Sequence, residues 1–230
     1  MITKMKCKIV SFQEVHEKVR SVAEKVKASQ YEPTTIVGLA RGGWVPARLM
    51  CDFLGITDLV SLKVEHWLET GKTKDEATIK YPLVSSMSGK KLLVVDDITD
   101  TGKSLITSIE HLKKLNPDEI KISVMQYITK STREPDYYAE EVTEWFWFIY
   151  PWNWVEDTST LIVRLMSDET GKEWRQNAIN SGLQEYFGIK WNQKMLKYIL
   201  KLMKERGQVD AVKSSGSFKY QLKRRSVIQL

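Results

Sequence analysis

The chain reads as an α/β protein. A central, mostly parallel sheet of about five strands is flanked by helices, and a mainly helical C-terminal subdomain follows. Three observations lead there. Short apolar runs at 34–39, 59–64, 92–95 and 119–127 alternate with stretches whose apolar residues recur at helical spacing. Such alternation builds a parallel sheet. The run at 92–95 ends in acids and a small-residue loop, and in open parallel sheets ligands sit at the carboxyl ends of the strands. From Val155 onward the pattern turns helical and then basic, so the boundary is placed there: a first domain over 1–155 and a helical extension over 156–230.

In order, Phe12, Val15, Val19, Val22 and Val26 place an amphipathic helix from Ser11 to about Lys27, and Glu32-Pro33 breaks it. Thr34 to Leu39 is a strand, and Ala40-Arg41-Gly42-Gly43 is the turn after it. A helix follows from about Trp44 to Phe53, ended by Gly55. Leu59 to Val64 is a strand. Glu65 to Tyr81 is polar and without apolar period, containing His66, Glu69, Lys72 and Lys74, and reads as a long loop that is either disordered or functional. Leu92 to Val95 is a buried strand, and Leu105, Ile106, Ile109 and Leu112 mark the helix after it. Asn116-Pro117-Asp118 ends that helix, Glu119 to Tyr127 is a strand, and Lys130 stands just past it. Trp145 to Tyr150 is an aromatic strand, leading to Pro151-Trp152-Asn153-Trp154.

In the extension, Glu156-Asp157-Thr158 caps a helix to about Met166. A second helix spans Lys172 to Phe187 with a weak point at Ser181-Gly182. A third runs from Lys190 to Arg206. Its apolar face is Trp191, Met195, Tyr198, Ile199, Leu202 and Met203, and Lys194, Lys197, Lys201 and Lys204 oppose it. Gln208–Val212 and Phe218–Leu222 flank a polar turn and read as a hairpin.

Composition sets limits. With 230 residues, 42% hydrophobic and 28% charged, the chain is of globular type. No apolar run approaches the roughly 20 residues of a membrane span, and the N-terminus lacks the apolar core of a signal peptide. No membrane partner is expected, and only Cys7 and Cys51 occur, so a reducing cytoplasm is the expected location. Neither cysteine has ligand-spaced neighbours for zinc. The net charge of +6 is uneven: 190–230 holds eleven Lys/Arg against two Asp/Glu, which leaves −3 for the rest. The basicity therefore belongs to the tail.

The chemistry concentrates at Asp96-Asp97-Ile98-Thr99-Asp100-Thr101-Gly102-Lys103-Ser104. Carboxylates at a strand end accept hydrogen bonds from hydroxyls, and loop amides at a helix start hold a phosphate. A plain turn capped by Asp100 or Thr101 would use the same residue types. A nucleotide P-loop is excluded, because its first glycine falls at position 97, which is Asp97.

The run Val94–Leu105 closely resembles the phosphoribosyl-pyrophosphate (PRPP) motif of type I phosphoribosyltransferases. Arg41-Gly42-Gly43-Trp44-Val45-Pro46-Ala47 resembles the pyrophosphate loop of the 6-oxopurine members. The resemblance implies a type I phosphoribosyltransferase fold, with 1–155 as its catalytic domain. It implies that Asp96 and Asp97 bind the ribose hydroxyls, and that Mg²⁺ is held near them through those hydroxyls or water. Thr99, Asp100, Thr101, Gly102, Lys103 and Ser104 would take the 5-phosphate. Ala40, Arg41, Gly42 and Gly43 would take pyrophosphate, with a cis peptide expected at Ala40-Arg41. Asp100 would face purine N7 as the third catalytic acid. Lys130, Trp147, the Phe148 backbone and Asn153 would surround the base, and Glu65, His66, Lys72 and Lys74 would belong to a mobile loop over the site.

One departure stands out. The family places an acid after Pro-Trp, and this chain has Asn153, which alters the complement of the guanine or xanthine edge. The layout as a whole resembles archaeal adenine phosphoribosyltransferases. The expected reaction is thus PRPP plus adenine giving AMP (a nucleoside monophosphate) and pyrophosphate, by a homodimer. Hypoxanthine, guanine or xanthine is the alternative base. Helices followed by a basic hairpin also describe a winged-helix unit, so a regulator that uses the PRPP site as a sensor is a second alternative. A lysine stripe is more often a solvated face, and nucleic acid is not the expected partner.

Overall fold

The computed structural model describes residues 2–69, 72–169, 171–214 and 217–223, without the side chains of 66–76, 214 and 217. After β1 (Cys7–Ile9), α1 (Phe12–Ala28) starts at a capping box. Ser11 Oγ accepts from the Glu14 amide at 3.1 Å, and the Ser11 amide donates to Glu14 Oε2 at 2.7 Å. β2 (Thr35–Ala40) leads into α2 (Trp44–Leu54), which ends where Gly55 takes φ of 70°. β3 (Leu59–Glu69) and β4 (Lys72–Tyr81) follow, then β5 (Lys91–Thr99), α3 (Lys103–Lys113), β6 (Glu119–Ile128), β7 (Tyr137–Val142) and β8 (Trp147–Ile149). The chain continues through α4 (Trp154–Ser167), β9 (Trp174–Arg175), α5 (Gln176–Phe187), α6 (Gln193–Glu205), β10 (Val209–Ser214) and β11 (Ser217–Leu222).

Two compact units divide these elements. The larger holds Ser11–Leu68 and Lys72–Trp145. Its sheet has the order β4-β3-β2-β5-β6-β7, with β3, β2, β5, β6 and β7 parallel neighbours. The sheet is central and mostly parallel, as expected, and two of its six strands, the edges β4 and β7, are ones that the sequence pattern did not mark. Ile36, Val37, Leu92, Leu93, Val94 and Ile122 are fully buried, as expected for strands covered on both faces. The order in which strands are added reverses between the parallel neighbours β2 and β5: β3 lies to one side of this pair, β6 and β7 to the other. That switch point is where a crevice opens in parallel sheets.

Within the expected loop at 65–81, residues 65–69 belong to β3 and 72–81 form β4. A connection of two residues joins β3 and β4, which permits only antiparallel pairing. The segment lacks an apolar period because it is an edge ribbon carried by main-chain bonding. Val64 and Ile79 pack against the core, while Lys80 and Lys63 reach Glu65 at 2.7 and 3.3 Å.

The second unit joins Met1–Val10 and Glu69–Gly71 to Phe146–Leu230. Here β1 pairs in parallel with β8, matching Cys7 to Trp147 and Ile9 to Ile149. Trp154 Nε1 donates to the Val10 carbonyl at 3.0 Å. The boundary expected at 155 therefore differs from the division the fold makes. The aromatic strand and the N-terminal segment share one core with α4, α5 and α6, through Cys7, Ile149, Leu161, Leu183 and Ile199. Gly182 does not interrupt α5. A side chain there would lie 2.7 Å from Leu165 Cδ2, so the missing Cβ lets α4 and α5 pack closely. The hairpin expected near 208–222 is present as β10 and β11.

Candidate active site

The larger unit brings two sequence motifs into contact. Register pairs Gly38 of β2 with Val95 of β5, so the strand ends that carry Arg41-Gly42-Gly43 and Asp96-Asp97 lie side by side. Gly42 sits directly against the Asp97 carboxylate, and a Cβ at Gly42 would fall inside that group. The Gly43 amide donates to the Leu39 carbonyl at 2.8 Å, closing the turn. The peptide Ala40-Arg41 is cis, as the motif implied. Arg41 itself is exposed.

The acid pair is locally organised. The Asp97 amide donates to Asp96 Oδ1 at 2.9 Å, and the Ile98 amide donates to Asp97 Oδ1 at 2.8 Å. Asp97 is 9% exposed. Burial first, and the neighbouring Asp97 charge second, push the Asp96 carboxyl well above the usual carboxylate range; the bond from the Asp97 amide opposes them. Two carboxylates so placed suit a divalent cation or a ring of hydroxyls, either of which relieves their repulsion. Among the described residues no cluster of three or more His, Cys, Asp or Glu could hold a metal by itself. Magnesium bound through one or two carboxylates, water and substrate oxygens fits this donor set.

The loop that follows is braced from the β6 end. Gly102 takes φ of 81° at the start of α3, and a Cβ there would lie 2.8 Å from the Arg133 amide nitrogen and from Ser131 Oγ. Thr132 Oγ1 donates to the Thr101 carbonyl at 2.8 Å, and Thr99 Oγ1 shares a 3.1 Å hydrogen bond with Ser131 Oγ. The Ile106 amide bonds the Gly102 carbonyl at 3.0 Å, so regular helical bonding begins there. The amides ahead of it, with Thr101, Lys103 and Ser104, form the positive end of α3, where the Lys103 amide donates to Thr101 Oγ1 at 3.4 Å, and such an end is the setting for a phosphate. Asp100 is half-buried, and Trp145 Nε1 donates to its Oδ2 at 3.3 Å.

Sequence reasoning missed the bracing loop Ser131-Thr132-Arg133 and the indole of Trp145. Neither carries a motif, because each acts through contact with a segment about 30 or more residues away. Lys130 is exposed in the turn that precedes this brace. The other base candidates belong to the smaller unit. Trp147 packs against that unit's core, Phe148 is buried, and Asn153 occupies the N-cap position of α4, where its carbonyl accepts from the Asp157 amide at 2.9 Å. Glu65 sits in β3; the side chains of His66, Lys72 and Lys74 lie outside the described residues.

Comparison with known proteins agrees with this geometry. Xanthine-guanine phosphoribosyltransferase of Cereibacter sphaeroides is 31% identical over 151 residues, covering 63% of this chain and 85% of that protein. The enzyme of the same name from Gluconobacter oxydans is 26% identical over 156 residues, covering 67% and 86%. Among solved structures, purine phosphoribosyltransferase from Pyrococcus horikoshii Ot3 matches with a TM-score of 0.56 and 32% identity, over 64% of this chain and 95% of that one. Residues 9–157 match the model of the phosphoribosyl transferase domain, and the chain belongs to that family.

Proposed function

We propose that the protein transfers the 5-phosphoribosyl group of PRPP to N9 of a 6-oxopurine and releases pyrophosphate. The observation that carries the reading is the contact between the Arg41 loop and the acid pair: an anion loop beside a polyol site at the sheet's switch point. The preference for adenine in the sequence reading gives way to its alternative, because the two relatives just named are xanthine-guanine enzymes. Adenine stays as a second reading on one observation, Asn153 in place of the acid.

Breaking the C1–oxygen bond builds positive charge on the ribose, so the protein must hold the leaving group and orient the nucleophile. Arg41 and the Gly42 and Gly43 amides hold pyrophosphate. Asp96 and Asp97 accept hydrogen bonds from the ribose hydroxyls, and the amides from Thr99 to Ser104 hold the 5-phosphate. Asp100, oriented by Trp145, manages the proton at purine N7. Magnesium, when bound, neutralises charge on the pyrophosphate. Lys130, Trp147, Phe148 and Asn153 carry the base roles that the family resemblance gives them. Glu65, His66, Lys72 and Lys74 keep the proposed role of a segment that shields the reacting pair from water. A homodimer and a cytoplasmic location belong to the same reading.

The test is nucleotide formation from PRPP, Mg²⁺ and each purine in turn. Turnover is expected with guanine, xanthine or hypoxanthine, whereas turnover with adenine alone restores the adenine reading. PRPP binding without turnover on any base would overturn enzyme action in favour of a sensor. Asp97→Asn is expected to cut kcat/KM for PRPP by about 10²-fold or more, the scale of losing a charged contact to the reacting sugar, with the thermal midpoint kept.

A further inference from the structure

The smaller unit contains an arrangement to which the proposed phosphoribosyl transfer gives no role beyond Asn153 at the start of α4. Its elements run α4, β9, α5, α6, β10, β11, and the sheet order is β10-β11-β9. β10 and β11 form an antiparallel hairpin, and the short β9 closes the sheet against β11 through Trp174–Tyr220 and Arg175–Lys219. Three helices with a two-residue strand after the first and a hairpin after the third is the topology of a winged helix. In that topology α5 and α6 are the helix-turn-helix pair, α6 is the recognition helix, and the β10–β11 hairpin is the wing.

The angle between α5 and α6 is set by a buried clamp. Asn180 of α5 donates to the Trp191 carbonyl at 2.7 Å and accepts from the Trp191 amide at 3.0 Å. Trp191 Nε1 then donates to Thr158 Oγ1 of α4 at 3.0 Å. Gly188, with φ of 73°, ends α5, and Asn192 caps α6 by accepting from the Met195 amide at 2.8 Å.

The two faces of α6 are sharply divided. Leu196, Ile199, Leu200 and Met203 are all 0% exposed. The outward face presents Lys194, Lys197, Tyr198, Lys201 and Lys204, all exposed, at the i, i+3, i+4, i+7 and i+10 spacing of one stripe. Tyr198 is 49% exposed, so it lies on the outward face rather than the apolar one expected from its residue type. Among the described residues, Lys194, Lys197 and Lys204 have no acidic partner, and Lys201 meets only Glu205 at 3.6 Å. The hairpin adds exposed Lys213, Val212 and Phe218. A basic amphipathic helix can also lie on a membrane, but that mode needs a free apolar face, and here the apolar face is committed to the core.

From this topology and charge we infer a second binding function: α6 and the β10–β11 hairpin form a docking surface for duplex DNA. This reverses the expectation taken from the lysine stripe alone. What changes it is the placement of the stripe on the third helix of a winged-helix topology, next to the hairpin. At 13 residues α6 is about 20 Å long and, with its side chains, about 10–12 Å wide. The B-form major groove is about 12 Å wide and admits such a helix. The A-form major groove is too narrow for it, so duplex RNA is disfavoured. Lys194, Lys197, Lys201, Lys204 and Lys213 neutralise phosphates, and Tyr198 sits among them where it can contact sugar or base edges.

The experiment is fluorescence anisotropy of a labelled duplex of about 20 bp with the full chain, between about 50 and 200 mM salt. Five phosphate contacts predict a slope of log affinity against log salt near −4 to −5. The triple variant Lys194→Gln, Lys197→Gln, Lys201→Gln is expected to reduce that slope by about 3 and to lose at least tenfold in affinity at low salt. Its thermal midpoint and phosphoribosyl transfer should be unchanged. Lys27→Gln, Lys113→Gln, Lys114→Gln makes an equal change of charge on the other unit and should leave the slope as it is. No DNA binding at about 50 mM salt, equal losses in the two variants, or tighter binding to duplex RNA or single strands would each overturn the inference.

Discussion

Asp96 shows how a site residue works against the stability of its own fold. Burial, with the adjacent Asp97 charge, raises its pKa above that of the unfolded chain. A raised carboxyl contributes stability fully below the unfolded value, near 3.9, and that contribution is lost as pH rises through the folded value. At neutral pH the acid pair therefore costs stability, and a bound cation or polyol that satisfies the carboxylates is expected to offset it. Asp96→Asn keeps an acceptor for the Asp97 amide and removes the repulsion. It is expected to raise the thermal midpoint at pH 7 and to lower turnover, with the midpoint difference shrinking near pH 4. An unchanged midpoint at pH 7 would show that the pair is not strained. The acid cluster itself was legible in the residues, since the carboxylates, a threonine and a glycine are close neighbours in the chain. Their bracing by Thr132, Ser131 and Trp145 was not, because side-chain hydrogen bonds between distant segments leave no local pattern.

Among the elements, the helices and the buried strands were the most legible. The α1 period of valines and its Ser11 start are written in adjacent residues, and all of Val15, Val19, Val22 and Val26 are buried. Ser11→Ala is expected to cost about 1 kcal/mol, read as a fall in the denaturant midpoint with an unchanged slope; no fall would mean that α1 does not depend on its cap. The β3–β4 ribbon was illegible for the opposite reason. An edge ribbon is held by its backbone ladder and by charge pairs such as Lys80–Glu65, so its polar sequence resembles a loop. β7 was missed in the same way: it is a sheet edge whose Glu140 pairs with Lys18 of α1 at 2.5 Å, and polar residues there concealed the strand. Tyr198 misled by residue type, since the helical stripe it belongs to is the cationic one.

The whole molecule departs most from a linear reading. A chain cut after Val155 would keep β1 and β8 but lose α4, α5 and α6, which bury Cys7 and Ile149 beside them. The fragment 1–155 is therefore expected to aggregate or to bind a hydrophobic dye such as ANS, whereas the full chain stays monodisperse in size-exclusion chromatography. A soluble, dye-silent fragment would restore the boundary at 155. By itself the sequence determined the α/β class, the buried valine stripe of α1, the two motif loops and the family, because each is coded by neighbours within a few turns or one loop. Only the tertiary structure decided that Gly42 presses on Asp97, that β1 pairs with β8, and that β9 closes the sheet beside the basic hairpin. Those pairings join residues from about 45 to 140 positions apart. They are selected by burial of shared apolar surface and by completion of backbone hydrogen bonds, which no local stretch of sequence specifies.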